Sequence, residues 1–145
     1  MGDGDDSYDF SEIPEFYLEI TTKNADMITG TRLKGTIHKG AMPFLHRYLG
    51  TPVLTFILNL LYKTNLSDSQ CGMRMFRKDC LDKIEFKTTG MEFASELFVQ
   101  FARHNFSIKE IPIHLYPVHN RKSKLNPIRD GLRHLFYLIS ALHNT

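Results

Sequence analysis

The sequence predicts a single α/β domain over residues 1–145, and three of its features lead to this fold class. Segments whose apolar residues recur at helical spacing alternate with short segments of strand pattern. The clearest helix covers residues 92–104, where Phe93 and Leu97 share one face. The clearest strand covers residues 108–116, where apolar and polar residues alternate. A hydrophobic content of 42% and a charged content of 23% suit one folded core rather than a disordered chain.

Composition excludes several classes of function. The net charge of +2 is too small to indicate a nucleic-acid partner. Cys71 and Cys80 form no CxxC pair, so they indicate neither a zinc site nor a secreted disulfide scaffold, and a reducing compartment fits best. The acidic start is unlike a signal peptide. No segment reaches the roughly 18 apolar residues of a membrane span, so we expect a chain that does not itself cross a bilayer.

The first elements follow from capping and turn residues. Asp9 and Glu12 can accept hydrogen bonds from free backbone N–H groups, which predicts a helix running to about residue 21. Residues 25–29 predict a short strand. The glycines and basic residues of segment 30–40 predict a loop after it.

The remaining elements are predicted from periodicity. Residues 42–63 are apolar at helical spacing, and Pro52 predicts a division into two helices, because proline favours a first helical turn. The other expected elements are a polar turn at 68–74, a strand at 73–76, a short helix at 78–84, the helix at 92–104, the strand at 108–116, a basic loop at 119–127 and a helix at 128–143.

An acidic turn opens the chain. Asp3 and Asp5 flank Gly4, which permits a tight bend. Paired hard oxygens suit Mg²⁺ or Mn²⁺, and such a cation can bridge a diphosphate. From spacing alone, a solvated acidic N-terminus is the better interpretation. An EF-hand is excluded because Tyr8 stands where its loop needs glycine.

Six segments resemble, in the same order, those of family 2 glycosyltransferases of the dolichol-phosphate mannosyltransferase type, and the resemblance extends along essentially the whole chain. They are MGDGDDSYDFSEI (1–13), ITGTR (28–32), GAMPFLHRYLGTP (40–52), SDSQCGMRMF (67–76), TGMEFASEL (89–97) and NRKSKL (120–125). The resemblance implies a partial glycosyltransferase A-type, Rossmann-like domain that lacks its N-terminal nucleotide-binding strands. It also implies metal-dependent, inverting transfer of a hexose from a nucleotide-sugar to a polyprenyl (dolichyl or undecaprenyl) phosphate or a related cell-envelope acceptor. The expected location is the cytoplasmic, inner face of the membrane.

The resemblance also assigns roles to individual residues. Asp3 and Asp5 would hold the metal, while Arg32 and Arg47 would bind phosphate oxygens through a two-pronged guanidinium. Asp68 would lie near the acceptor as a general base or an orienting group, although a turn cap explains it equally well. The other expected substrate-binding residues are Arg74, which should pair with an acid or a phosphate, and Arg121, Ser123 and Lys124 in the basic loop.

The C-terminal region combines basic residues with an apolar helix over residues 128–143. This combination suits binding to an anionic membrane surface or a lipid phosphate. It is equally typical of a helix that packs on the core and has solvated basic residues at its start. Two further functions therefore stay open. The chain could be a non-catalytic, membrane-associating remnant that binds anionic lipid. The weaker alternative is a DxD-type phosphatase, which requires a strand before the acidic turn.

Overall fold

A three-stranded mixed sheet with helices on both faces forms the body of the protein, as seen in a computed structural model that describes residues 1–118 and 127–143. The predicted α/β class is confirmed. The elements are α1 (Ile13–Thr22), β1 (Met27–Ile37), α2 (Thr51–Tyr62), β2 (Arg74–Phe76), α3 (Lys78–Leu81), α4 (Phe93–Arg103), β3 (Ile108–Leu115) and α5 (Pro127–His143), with a 3-10 turn at Phe10–Glu12 and a π-helical segment at His46–Gly50.

The central strand is β1, which pairs antiparallel with β2 and parallel with β3. Adjacent residues Met27 and Ile28 are both fully buried, on opposite faces, because successive side chains of a strand alternate. Helix α1 covers one face, and α2, α4 and α5 pack on one another over the other face. Both faces of β1 are therefore covered at its start, and this explains why polar and apolar residues do not alternate there.

The prediction of a short strand followed by a loop is wrong for residues 30–37, which continue β1. The pairing with β3 is irregular between Thr31 and Thr36, where the strand bulges. Gly35 makes this bulge compatible with the sheet, since a Cβ there would lie 2.0 Å from the carbonyl oxygen of Ile113. Glycine thus permits the close approach of the β1 and β3 backbones, although the composition of this segment resembles that of a loop.

The predicted division of residues 42–63 at Pro52 is confirmed as a change of helix type, with no gap between the two helices. The π-helical segment runs directly into α2, and the N–H group of Thr51 donates to the carbonyl group of His46, five residues earlier. Pro52 stands in the first turn of α2, where its missing N–H is tolerated. The proline therefore coincides with a change of helix type rather than with a chain break.

The N-terminal segment is joined to the sheet at two places. Met1 exchanges two backbone hydrogen bonds with Arg74 of β2, at 2.7 and 2.9 Å. Further on, Tyr8 forms a bridge with Leu115, and the N–H of Tyr116 donates to Ser7 at 2.9 Å. The acidic turn therefore lies near the carboxyl end of β3, and this end of a parallel pair is where α/β domains bind ligands.

Candidate active site

The acidic turn is fixed through Asp5 and Asp3 in different ways. One carboxylate oxygen of Asp5 accepts hydrogen bonds from both the backbone N–H and the hydroxyl of Ser7. Asp3 is exposed and rests against Gly72, where a Cβ would come within 2.3 Å of its carboxylate. The N–H of Gly72 in turn donates to the hydroxyl of Tyr8 at 2.9 Å. The absence of a side chain at Gly72 thus leaves the space that Asp3 occupies.

These two carboxylates are compatible with a magnesium-type site. Within residues 1–118 and 127–143 there is no group of three acidic, histidine or cysteine side chains that could hold a metal on its own. Mg²⁺ nevertheless uses one or two carboxylates when substrate phosphates and water complete its shell. The donor set therefore fits a cation that arrives with a diphosphate, and metal binding by Asp3 and Asp5 stays a prediction.

Asp68 and Arg32 form a buried ion pair at the centre of the site. The Nε and Nη2 atoms of Arg32 donate to the two carboxylate oxygens of Asp68 at 2.7 and 2.8 Å. Backbone N–H groups of Arg32 and Gln70 complete the shell at 3.0 and 3.2 Å. Asp68 is 0% exposed, and the Arg32 side chain is 12% exposed. The two-pronged face of Arg32 that we expected to bind phosphate is therefore directed at Asp68.

Electrostatics support a permanently charged Arg32. Burial by itself would lower the pKa of the Arg32 guanidinium, but hydrogen bonding to Asp68 and its negative charge more than offset this effect and raise that pKa. Nearby, burial raises the pKa of the Cys71 thiol to about 11, so Cys71 stays a neutral thiol. Burial likewise raises the pKa of the Tyr8 phenol. Arg32 is thus held as a cation among neutral groups and one carboxylate.

Arg74 lies 2% exposed and is surrounded by backbone carbonyl groups. It donates to the carbonyl oxygens of Cys71, Ser69 and Ala94 at 2.9, 3.2 and 3.3 Å, and its guanidinium lies 4.5 Å from the ring centroid of Phe98. Burial lowers the pKa of Arg74. These contacts tie the loop before β2 to α4, and binding of substrate by Arg74 stays a prediction.

The remaining predicted ligands lie elsewhere. Arg47 is exposed on the π-helical segment, with its guanidinium 5.4 Å from the ring centroid of Tyr48. That segment contacts α5. The predicted basic-loop ligands Arg121, Ser123 and Lys124 lie outside the described residues.

An open groove runs along α5, with a volume of about 580 Å³. Arg133 of this groove pairs with Glu92 at 3.4 Å, and the neighbouring His134 bonds Ser95 at 2.8 Å, which fixes α5 on α4. Burial lowers the pKa of His134, so the ring is held neutral. The groove combines cationic and apolar side chains, namely Ile128, Arg129, Leu132, Arg133 and Phe136.

Sequence reasoning missed Glu110, which contacts the turn that carries Asp68. Its two carboxylate oxygens accept hydrogen bonds from Ser67 and from the N–H of Asp68. The only signal in the sequence was an acidic residue inside an alternating strand, and this pattern usually marks a solvated position.

Comparisons with known proteins found relatives that match most of this chain. It is 41% identical over 142 residues to the low-salt glycan biosynthesis hexosyltransferase Agl6 of Haloferax volcanii, covering 97% of this chain and 34% of that protein. It is 32% identical over 134 residues to a dolichyl-phosphate hexose transferase of the same organism, covering 89% of this chain and 54% of the relative. An uncharacterised protein of Methanocaldococcus jannaschii is 27% identical over 139 residues, covering 94% of this chain and 57% of its own length. No protein-family profile matches the chain.

These matches confirm the predicted relationship to glycosyltransferases. The chain spans 34%, 54% and 57% of the lengths of these three relatives, and this agrees with the predicted partial domain. None of the helices in the described part of the chain is both long and apolar enough to cross a bilayer.

Proposed function

Because this chain is homologous to part of two hexose-transferring glycosyltransferases, we propose that it forms the C-terminal portion of such a catalytic domain. The proposed reaction moves a hexose from a nucleotide-sugar to a polyprenyl phosphate or a related cell-envelope acceptor, at the cytoplasmic face of a membrane. It proceeds with inversion, so one phosphate oxygen of the acceptor bonds to the anomeric carbon as the bond to the nucleoside diphosphate breaks.

The observation that carries this proposal is the Arg32–Asp68 pair. Both carboxylate oxygens of Asp68 are engaged by hydrogen bonds, which favours an orienting group over a general base. The chemistry agrees, because a lipid phosphate is already ionised near neutral pH and has no proton to lose. Asp68 engages Nε and Nη2 of Arg32, so Arg32 would act on phosphate oxygens through its remaining Nη1 group, where preorganised charge lowers the barrier to transfer.

Asp3 and Asp5 would hold Mg²⁺ or Mn²⁺ on the donor diphosphate. Such a cation supplies neutralisation of the charge that develops on the leaving group. Gly72 gives Asp3 its space and Ser7 orients Asp5, so the turn is shaped before the diphosphate binds.

We expect Asp5→Asn to reduce hexose transfer by at least about 100-fold, the usual effect of removing one group that stabilises transition-state charge. The measurement is transfer of labelled hexose from a nucleotide-sugar to polyprenyl phosphate by the polypeptide that contains this chain, with and without a chelator. Asp6→Asn is the matched control, since it removes the same charge from the next, exposed residue. Full transfer by the Asp5 variant, or no effect of the chelator, would contradict the proposed site.

Contact with a membrane is supported by a large exposed apolar surface on the α2 and α5 side of the sheet. Its members are Phe44, Leu45, Tyr48, Leu49, Val53, Phe56, Leu60, Ile128, Leu132, Phe136, Ile139 and Leu142. Exposed apolar patches of this extent mark interaction surfaces. The arginines of the α5 groove lie on the same helix, and cations beside apolar side chains favour anionic lipid.

Phe56→Ser combined with Leu60→Ser should weaken binding to anionic phospholipid vesicles by roughly tenfold or more, because each residue is 66% exposed and its apolar side chain would no longer be buried in lipid. Tyr17→Ser with Leu18→Ser is the control, since these exposed residues lie on α1, across the sheet. Vesicle sedimentation measures both. Equal loss from both pairs would point to misfolding, and no loss would exclude this surface. Vesicle binding without any transfer would favour the non-catalytic lipid-binding remnant.

A further inference from the structure

Glu110 lies on β3 with its side chain 7% exposed, and both oxygens of its carboxylate accept hydrogen bonds. Oε1 accepts from the backbone N–H groups of Ser67 and Asp68 at 2.8 and 3.1 Å. Oε2 accepts from the hydroxyl of Ser67 at 2.8 Å and from Lys34 at 3.3 Å. Glu110 of β3 therefore holds Ser67 and Asp68, the first two residues of the turn before β2.

The same turn is held from its other end by α2. Thr55 donates to the hydroxyl of Ser69 at 2.9 Å and accepts from the N–H of Ser69 at 3.0 Å. The turn is thus fixed between a strand and a helix, and Asp68 lies between the two attachment points. Its carboxylate has little freedom to turn away from Arg32.

The bulge of β1 supplies the opposite charges. Arg32 and Lys34 are two residues apart within the irregular part of the strand, and they pair with Asp68 and Glu110 respectively. Two carboxylates from distant parts of the chain are therefore neutralised by one short segment. This arrangement compensates two acidic side chains that burial would otherwise destabilise.

We propose that Glu110 is a positioning residue that sets the orientation of the Arg32 guanidinium through the Ser67–Asp68 turn. The catalytic part of this inference rests on the proposed function, in which Arg32 acts on phosphate oxygens. The positioning itself is a property of this chain. Hydrogen bonds to the two N–H groups, rather than the negative charge of Glu110, supply the effect.

Three substitutions separate geometry from charge. Glu110→Gln keeps an oxygen for the two N–H groups and an amide that can donate to Ser67, so it should behave like the native residue. Glu110→Ala removes every bond to the turn. Glu110→Asp keeps the charge but is shorter by one methylene, and it serves as the decisive variant if Glu110→Ala does not fold. Lys34→Gln is the control for the exposed ion pair, which contributes little.

The measurement is hydrogen exchange followed by NMR on this chain, at the Nε–Hε group of Arg32 and at the N–H of Asp68. Glu110→Ala and Glu110→Asp should accelerate both exchange rates by about tenfold or more, while Phe98 in α4 exchanges at its native rate. Glu110→Gln should restore protection to within about threefold. Unchanged exchange at Arg32, or equal acceleration at Phe98, would overturn the proposal, because the latter is the result of a merely structural role.

A second readout links the inference to phosphate binding. Inorganic pyrophosphate, titrated into this chain with Mg²⁺, should bind about tenfold more weakly to Glu110→Asp than to Glu110→Gln. Equal affinities would contradict an action through Arg32. If exchange changes as expected while the transfer assay shows no activity, the positioning role stands and the proposed function fails. Transfer activity with unchanged exchange gives the reverse conclusion.

Discussion

Gly35→Ala is expected to destabilise the protein by at least about 3 kcal/mol, the upper end of the overpacking range. A Cβ at this position would lie 2.0 Å from the carbonyl oxygen and 2.6 Å from the nitrogen of Ile113. These are backbone atoms of β3, so no side-chain rotation relieves the clash. The strands β1 and β3 must separate at the bulge, and this displaces Arg32, which lies within the bulge. Urea denaturation followed by circular dichroism measures the loss.

Gly131→Ala provides the matched control for this variant. Gly131 lies within α5, and a Cβ there meets nothing within 4 Å. Alanine in a helix interior should therefore stabilise the protein by up to about 1 kcal/mol, through a better helix propensity. A Gly35→Ala protein as stable as the native one would show that β1 and β3 do not approach this closely.

Arg32→Met should cost roughly 3–5 kcal/mol of folding free energy, because it leaves the Asp68 carboxylate buried without its cation. Methionine preserves most of the apolar volume of the arginine stem, so the effect reports the charge and its hydrogen bonds. Arg47→Met, at an exposed arginine, should stay within about 0.5 kcal/mol of the native protein. Chemical denaturation of both variants under the same conditions tests the difference.

A double-mutant cycle identifies the source of that loss. Asp68→Asn removes the negative charge while keeping a group that can accept hydrogen bonds. The Arg32→Met and Asp68→Asn changes combined should therefore cost less than the sum of the two single effects, with a coupling of about 1 kcal/mol or more. Additive effects would mean that the two side chains do not interact in solution.

The structure shows where the predicted site residues lie, while their roles in binding and catalysis stay predictions. Asp68, Arg32 and Arg74 were singled out by the order of the motifs, and the structure brings all three to the region between β1, β2 and the turn before β2. Their partners were not predicted. Arg74 was expected to pair with an acid or a phosphate, and it is surrounded by carbonyl groups instead. A carbonyl partner leaves no trace in a sequence, since every residue carries one.

The strand β1 shows a second limit. Its first residues, Met27 and Ile28, have the apolar character of a buried strand, and the sequence predicted a strand there. Residues 32–35 contain an arginine, a lysine and a glycine, which locally favour a loop. Pairing with β3 overrides that preference, because backbone hydrogen bonds to a neighbouring strand depend on a segment more than 70 residues away, as the match of Thr36 with His114 illustrates.

The sequence by itself determined the α/β class, the order of most elements, and the relationship to glycosyltransferases. These depend on local periodicity and on motifs that are read along the chain. Only the tertiary structure decided that Asp68 binds Arg32, that Glu110 supports their turn, and that apolar residues of α2 and α5 remain exposed. The physical reason is that pairing and burial depend on which distant segments meet. Asp68 and Arg32 are 36 residues apart, and they meet only because β1, the bulge and the turn before β2 fold around one another.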